Sequence, residues 1–159
     1  MSALAPLVEN YLVGVATLRN AVAGMTREQL VARPVPGKWS TLEVVCHLAD
    51  FDPILADRMK RILAEDRPQL LGADEKRYAA SLAYQERDLE GELALIEQTR
   101  QQMARILRTL PAAAWSRSGI YRHEGKDEPR SLERLVTIMI NHIPHHVKFI
   151  QEKRQALGV

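Results

Sequence analysis

The sequence predicts an all-α protein, a four-helix bundle with up-down-up-down connectivity or a close variant of it. Apolar residues recur at three- and four-residue intervals along nearly the whole chain, which is the period of amphipathic helices. Alternating runs typical of strands, and Asn-Gly or Asp-Gly turns typical of hairpins, are absent. Because 159 residues can bury a sizeable core without disulfides, we expect a single domain over residues 1–159.

The first two helices have recognisable ends. The first is expected from about Ala3 to Val22 and stops at Gly24. Thr26 is placed to cap a short turn before the connector "ARPVPGKW". The second helix starts at Ser40, where the Ser-x-x-Glu pattern forms a capping box, and runs to about Ala64. The apolar stripe predicted for the first helix consists of Leu4, Leu7, Val8, Tyr11, Val15 and Leu18.

The second half of the chain supplies the other two helices. "EDRPQLLGADE" is expected to be a loop, and a third helix should begin near Lys76 or Gln85 and reach Leu110, where Pro111 ends it. A polar connector, "SRSGIYRHEGKDEPR", follows. Ser131 can then cap a fourth helix that continues to about Leu157. Four amphipathic helices with such connections are most economically packed as a bundle.

Composition excludes several classes of function. The 22 basic and 20 acidic residues leave a net charge of only +2, and they are spread along the chain, so no nucleic-acid partner is expected. Cys46 is the only cysteine, which excludes an internal disulfide and a cysteine-rich zinc site. The sequence shows no signal-like leader and no apolar run near the ~20 residues that span a bilayer. We therefore expect a soluble, cytoplasmic protein without a membrane partner.

Three of the five histidines lie in the stretch "MINHIPHHVKFI". At ~100° per residue, His146 falls inside the apolar arc of the fourth helix and His142 at its edge, ~40° away. His145 points ~100° from His146, toward solvent or a neighbouring chain. Because His142 and His146 are one turn apart, their imidazoles can share one metal ion.

A third ligand is needed, and His47 on the second helix is the natural donor. It lies about two turns after Ser40, on a partly apolar strip that also carries Phe51 and Arg58. In an up-down-up-down bundle the second and fourth helices would run parallel, and a stagger of one to two turns would align the histidines. Packing histidines without metal remain the alternative.

Other candidates have plainer interpretations. Cys46 is expected to be a small buried side chain, and His123 an exposed loop residue. Asp50 and Asp52 could orient an imidazole, although charged positions on a helix surface are the simpler interpretation. Pro144 lies between the two ligand candidates of the fourth helix, and the kink it favours could set or spoil their aim, as Pro53 could for His47. Arg58 is expected on the helix surface, and Trp39 should pack at the entry of the second helix. Nucleophile elbows, phosphate loops, dinucleotide-binding glycine patterns and HExxH are absent.

Two segments carry a family resemblance: "GKWSTLEVVCHLADFDPILADRMKRILAED" and "RSLERLVTIMINHIPHHVKFIQEKR". They resemble the DinB-like, YfiT-like superfamily of metal-dependent four-helix proteins, in order and over nearly the whole chain. The resemblance implies a nickel or zinc ion held by His47, His142 and His146, and a bundle that often forms homodimers. It also implies a small-molecule substrate and, in some members, a low-molecular-weight thiol.

Two hypotheses of different classes follow. The first is a metal-dependent enzyme that activates a thiol or a water, as a thiol-dependent transferase or a hydrolase, because three neutral imidazoles leave coordination positions open. No catalytic base or nucleophile can be named from the sequence. The second is a non-catalytic bundle that acts by dimerisation or protein interaction, with the histidines serving packing.

Overall fold

The protein is a four-helix bundle with a small sheet at one end. A computed structural model describes residues 5–123 and 125–159. Within them the helices are α1 (Ala5–Val22), α2 (Arg27–Val31), α3 (Thr41–Ala64), α4 (Glu75–Ser81), α5 (Leu89–Arg108) and α6 (Leu132–Leu157). The strands are β1 (Gln69–Leu71), β2 (Ser118–His123) and β3 (Lys126–Ser131). The predicted start at Ala3, and Leu4 of the predicted stripe, lie outside the described residues.

The bundle itself was predicted correctly, with α1, α3, α5 and α6 as its four long helices. The predicted caps form at three starts: Thr26 caps α2, Ser40 caps α3 and Ser131 caps α6. At Ser40 the reciprocal pair is complete, because its hydroxyl accepts the Glu43 N–H at 3.1 Å and the Glu43 carboxylate accepts the Ser40 N–H at 2.7 Å.

The directions in which the helices run differ from those expected. One core cluster joins the beginnings of α1 and α6 to the ends of α3 and α5, and a second joins the opposite ends. Hence α1 and α6 run one way, and α3 and α5 run the other way. The expectation that the second and fourth helices are parallel was wrong, since α3 and α6 are antiparallel. The bundle is thus a variant of the simple up-down-up-down form, in which long connections separate consecutive helices.

Of the two starts considered for the third helix, the one near Gln85 is close to the start of α5, whereas the one near Lys76 falls in a separate helix, α4. The short α4 ends before Ala83, whose backbone adopts a left-handed conformation with φ +49°. The long α5 then starts at Leu89 behind Asp88, which accepts the N–H of Gly91. The break lets the connection between the parallel helices α3 and α5 return along the length of the bundle.

The sheet was not predicted. Strand β2 pairs antiparallel with β3 and parallel with β1, in segments that the sequence indicated as loops. Most of their side chains face solvent, so no apolar alternation marks them. Pro129 lies in the edge strand β3, where a missing donor is tolerated. Gly119 has to be glycine where β2 begins beside β1, because a Cβ there would lie 2.8 Å from the Pro68 carbonyl oxygen.

Candidate metal centre

His47, His142 and His146 lie together between α3 and α6. Their potential ligand atoms are all within 4.8 Å of one another. His47 is 2% exposed, whereas His142 and His146 are half-buried on α6. Antiparallel packing brings the first half of α3 against the middle of α6, so the three residues meet although the helix directions differ from those expected.

The distances suit a tetrahedral metal. The Nε2 atoms of His47 and His142 are 3.3 Å apart. Two nitrogens bound to one zinc at ~2.0–2.1 Å and a tetrahedral angle would be about 3.3 to 3.4 Å apart. Ligands on one ion cannot exceed about 4.2 Å of separation at such bond lengths. A third imidazole at the 4.8 Å limit would have to come about 0.6 Å closer to share the ion at all, and about 1.4 Å closer to reach the tetrahedral spacing.

The imidazoles are kept neutral by their surroundings. Burial lowers the pKa of His47 to about 4. Burial lowers the pKa of His142 and of His146 to about 3, and this effect is increased because a charge on either ring would be repelled by a charge on the other histidines, by Arg100 near His142 and by Lys153 near His146. Since only a neutral imidazole has a lone pair for a metal, all three are competent ligands at neutral pH.

The second nitrogen of each ring lacks support. No hydrogen-bond partner is found among the described residues for the Nδ1 atoms of His47, His142 or His146, although these atoms are buried. Metal-binding histidines usually donate this N–H to a carboxylate or carbonyl that fixes the ring. Packing against aromatic neighbours holds the rings of His47 and His146 instead, and the ring of His142 packs against those two imidazoles.

Those neighbours are Trp39, Phe51 and Phe149. The ring centroid of His47 is 5.4 Å from that of Trp39 and 4.5 Å from that of Phe51. The centroid of His146 is 5.8 Å from that of Phe149. Trp39 therefore packs at the entry of α3, as expected, and also borders the histidines. An apolar rim of this kind limits access of water to the cluster.

Two cavities reach the cluster from outside. One of about 440 Å³ is lined by His146 together with Trp39, Phe149 and Lys153. Another of about 340 Å³ is lined by His142, Arg134 and Asn141. A small molecule could approach the histidines from either side of α6.

The exposure of His145 and the course of the helix at Pro144 show how the ligand candidates of α6 are oriented. His145 is exposed, in agreement with the helical wheel. Pro144 does not interrupt α6, which continues from Leu132 to Leu157, and Pro53 likewise lies inside an unbroken α3. Both imidazoles of α6 therefore keep their aim toward α3.

The two aspartates are not available to orient an imidazole. Asp50 accepts two hydrogen bonds from Arg87, both at 3.0 Å. Asp52 is fully buried and paired with Arg100 at 2.6 Å. The simpler interpretation, a charged helix surface, was also wrong for Asp52. The partner on α5 could not be identified from sequence because the pairing depends on which helices are neighbours.

The structure also tests what the sequence predicted for Cys46, His123 and Arg58. Cys46 is buried as predicted; its Sγ contacts the Tyr84 carbonyl oxygen at 3.4 Å, and burial raises its pKa to about 12. His123 is exposed as expected, but it ends strand β2. Arg58 was placed wrongly on the surface: it is 6% exposed and its guanidinium lies over the ring of Tyr121.

Fold and site together define a class of protein, a four-helix bundle with three convergent imidazoles between two antiparallel helices. The family model of the DinB superfamily matches residues 14–150. This chain therefore belongs to the DinB superfamily.

The described residues contain no helix that is both long and apolar enough to cross a membrane.

Relatives with curated names agree with that assignment. The chain is 32% identical over 143 residues to "Putative metal-dependent hydrolase YfiT" of Bacillus subtilis (strain 168), which covers 90% of this chain and 79% of the relative. It is 29% identical over 141 residues to a Bacillus licheniformis protein also named "Putative metal-dependent hydrolase", and the match covers 89% of this chain and 79% of that relative.

A solved structure is similar as well. YfiT from Bacillus subtilis, described as "a probable metal-dependent hydrolase with an unusual four-helix bundle topology", matches with a TM-score of 0.89. The match has 28% sequence identity and covers 99% of this chain and 90% of that one.

Proposed function

We propose that this chain is a metal-dependent hydrolase that acts on a small molecule, with His47, His142 and His146 as the ligands of a divalent ion. The observation that carries the proposal is the convergence of three neutral imidazoles, whose potential ligand atoms lie within 4.8 Å of one another, with His146 lining one cavity and His142 another. The names of the relatives support hydrolysis. Three nitrogen ligands and a tetrahedral spacing suit zinc, and imidazole also suits nickel.

The ion would supply Lewis acidity and lower the pKa of a nucleophile, while the protein supplies the shape of the site. His47 is held by the packing of α3, and His142 and His146 by one turn of α6. Trp39, Phe51 and Phe149 restrict water around the imidazoles, which strengthens electrostatic interactions there. Three protein ligands leave a position for the attacking group or the substrate.

The attacking group could be a water or a low-molecular-weight thiol, because a divalent ion would lower the pKa of either when it binds. Thiol transfer is therefore a second reaction of the same site, and its test is consumption of added thiol together with substrate. Water attack would instead release product at an unchanged thiol concentration.

The direct test is the metal content of the purified protein. We expect about one nickel or zinc per chain in the wild type, and a loss of that metal in His47→Ala and His146→Ala. His145→Ala and His123→Ala are matched controls that remove a histidine outside the cluster and should retain the metal. Elemental analysis after dialysis, with and without added metal, measures the metal content of the wild type and of all four variants.

A protein that stays metal-free in the presence of added nickel and zinc would contradict the proposal. If its stability were also indifferent to a chelator, the non-catalytic alternative, a bundle that acts through dimerisation or protein interaction, would account better for the histidines.

A further inference from the structure

Lys153 is a buried cation beside the candidate metal centre that the proposed function leaves unused. It lies on α6 and is 2% exposed. Its ammonium donates one hydrogen bond, at 3.0 Å, to the Phe149 carbonyl oxygen of its own helix. No carboxylate of the described residues pairs with it. Burying an ammonium without a partner is unfavourable, and burial accordingly lowers the pKa of Lys153.

Lys153 lines the 440 Å³ cavity that also contains His146. Lys38 and Lys76 lie at the same cavity, and Glu75 is the acidic residue among its lining. Three ammonium groups thus line the cavity with one carboxylate, while burial keeps His146 neutral. The cavity has an excess of positive charge, and an anion entering it would gain from every lysine.

Two aromatic side chains, Trp39 and Phe149, also line the cavity. Phe149 lies near both ends of the site, because its ring centroid is 5.8 Å from that of His146 and 5.9 Å from the Lys153 Nζ. Ligand sites commonly combine such an apolar lining with few charged groups that fix orientation. A fully hydrated inorganic anion would gain nothing from this lining, whereas an organic anion with an apolar body would bury that body against the two rings.

We propose that this cavity is the substrate site and that it selects small organic carboxylates, with the carboxylate on Lys153 and the apolar body on Trp39 and Phe149. This inference deepens the proposed function and rests on it for the identity of the reacting bond. His146 and Lys153 are seven residues apart on one helix, a rise of ~10 Å. The bond to be cleaved should therefore lie at most about 10 Å from the carboxylate.

The test compares 4-phenylbutyrate with its neutral amide, 4-phenylbutyramide, by isothermal titration calorimetry at pH 7.5. The protein is the full chain after treatment with a chelator, so that no metal can act as the partner of the carboxylate. We expect the wild type to bind the carboxylate roughly tenfold more tightly than the amide, the scale of one charge-assisted hydrogen bond.

Variants of Lys153 identify the group responsible. In Lys153→Met the preference for the carboxylate should fall below about twofold, whereas Lys153→Arg, which keeps the charge, should retain most of it. Lys38→Gln at the exposed rim should reduce the preference only slightly, about two- to threefold, because solvent screens that charge. Circular dichroism spectra and thermal unfolding check that each variant is folded.

Equal affinity of the wild type for the two probes, or no binding of the carboxylate at millimolar concentration, would overturn the inference. So would a preference that survives in Lys153→Met. Because these measurements use metal-free protein, their outcome does not depend on whether the proposed metal site exists. That site is tested separately by the metal content of the protein.

Discussion

Two buried polar clusters lie about one helical turn apart in this bundle, and they differ in how completely their hydrogen bonds are satisfied. Around Arg100, the guanidinium donates to both carboxylate oxygens of Asp52 and to the carbonyl oxygens of Tyr11 and Met139. Around His142, three imidazoles meet and each leaves its Nδ1 without a partner among the described residues. The guanidinium of Arg100 and the carboxylate of Asp52 are fully hydrogen-bonded within the protein, whereas the Nε2 atoms of His47 and His142 meet only each other, at 3.3 Å, and are available for a ligand.

The Arg100 cluster has a structural role that follows from its partners. Tyr11 belongs to α1, Asp52 to α3, Arg100 to α5 and Met139 to α6, so one side chain connects all four helices of the bundle. Asp52 follows His47 by five residues, and Met139 precedes His142 by three. The cluster therefore fixes how α3 and α6 are placed next to the histidines.

The largest effect on stability is expected when the connection made by Arg100 is removed. Arg100→Met should lower the free energy of unfolding by about 3–5 kcal/mol, because it leaves the buried Asp52 carboxylate without its partner. The matched control is Arg19→Met, which removes an exposed arginine that pairs with Glu90 and Glu97 and should cost at most about 1 kcal/mol. Urea denaturation measures both.

Equal losses in these two variants would contradict the difference drawn between a buried and an exposed ion pair. The double variant Arg100→Met with Asp52→Leu sharpens the comparison. It removes both charges, so it should recover part of the stability that Arg100→Met loses.

A smaller effect is expected at Pro144. Its missing N–H leaves the Ile140 carbonyl without the usual helical donor, and α6 nevertheless continues. Pro144→Ala restores that donor and should stabilise the protein by roughly 1–2 kcal/mol, after part of the gain is offset by a more flexible unfolded chain. Metal content should be unchanged, because α6 already holds both imidazoles in place.

Thermal unfolding and elemental analysis of Pro144→Ala check these two expectations together. Pro53→Ala, in α3, is the parallel variant on the His47 side. A loss of metal in Pro144→Ala would show that the proline itself sets the aim of His142 and His146.

The histidine site could be predicted largely from local geometry. The positions of His142 and His146 on one side of a helix follow from the 100° turn per residue, and Ser40 fixes where α3 begins and hence where His47 lies. The positions of these histidines on their own helices do not depend on how the helices are connected. For that reason the ligand candidates meet in the structure although α3 and α6 are antiparallel.

The remaining features depend on contacts between distant segments. The partnership of Asp52 with Arg100, the burial of Arg58 under the sheet, and the unpaired Lys153 all require knowledge of which helices are neighbours. The strands carry mostly exposed polar residues, so periodicity could not reveal them. Lys153 could have been noticed as a charged residue on the apolar face of α6, one turn after Phe149.

The most direct test of the account is a crystal structure of the nickel- or zinc-loaded protein with anomalous scattering measured at the absorption edge of the metal. The account predicts one strong peak per chain, within ~2.0–2.2 Å of nitrogen atoms from His47, His142 and His146, with at least one position not occupied by the protein. A peak held by His145 or His123 instead, or no peak in protein crystallised with excess metal, would contradict it.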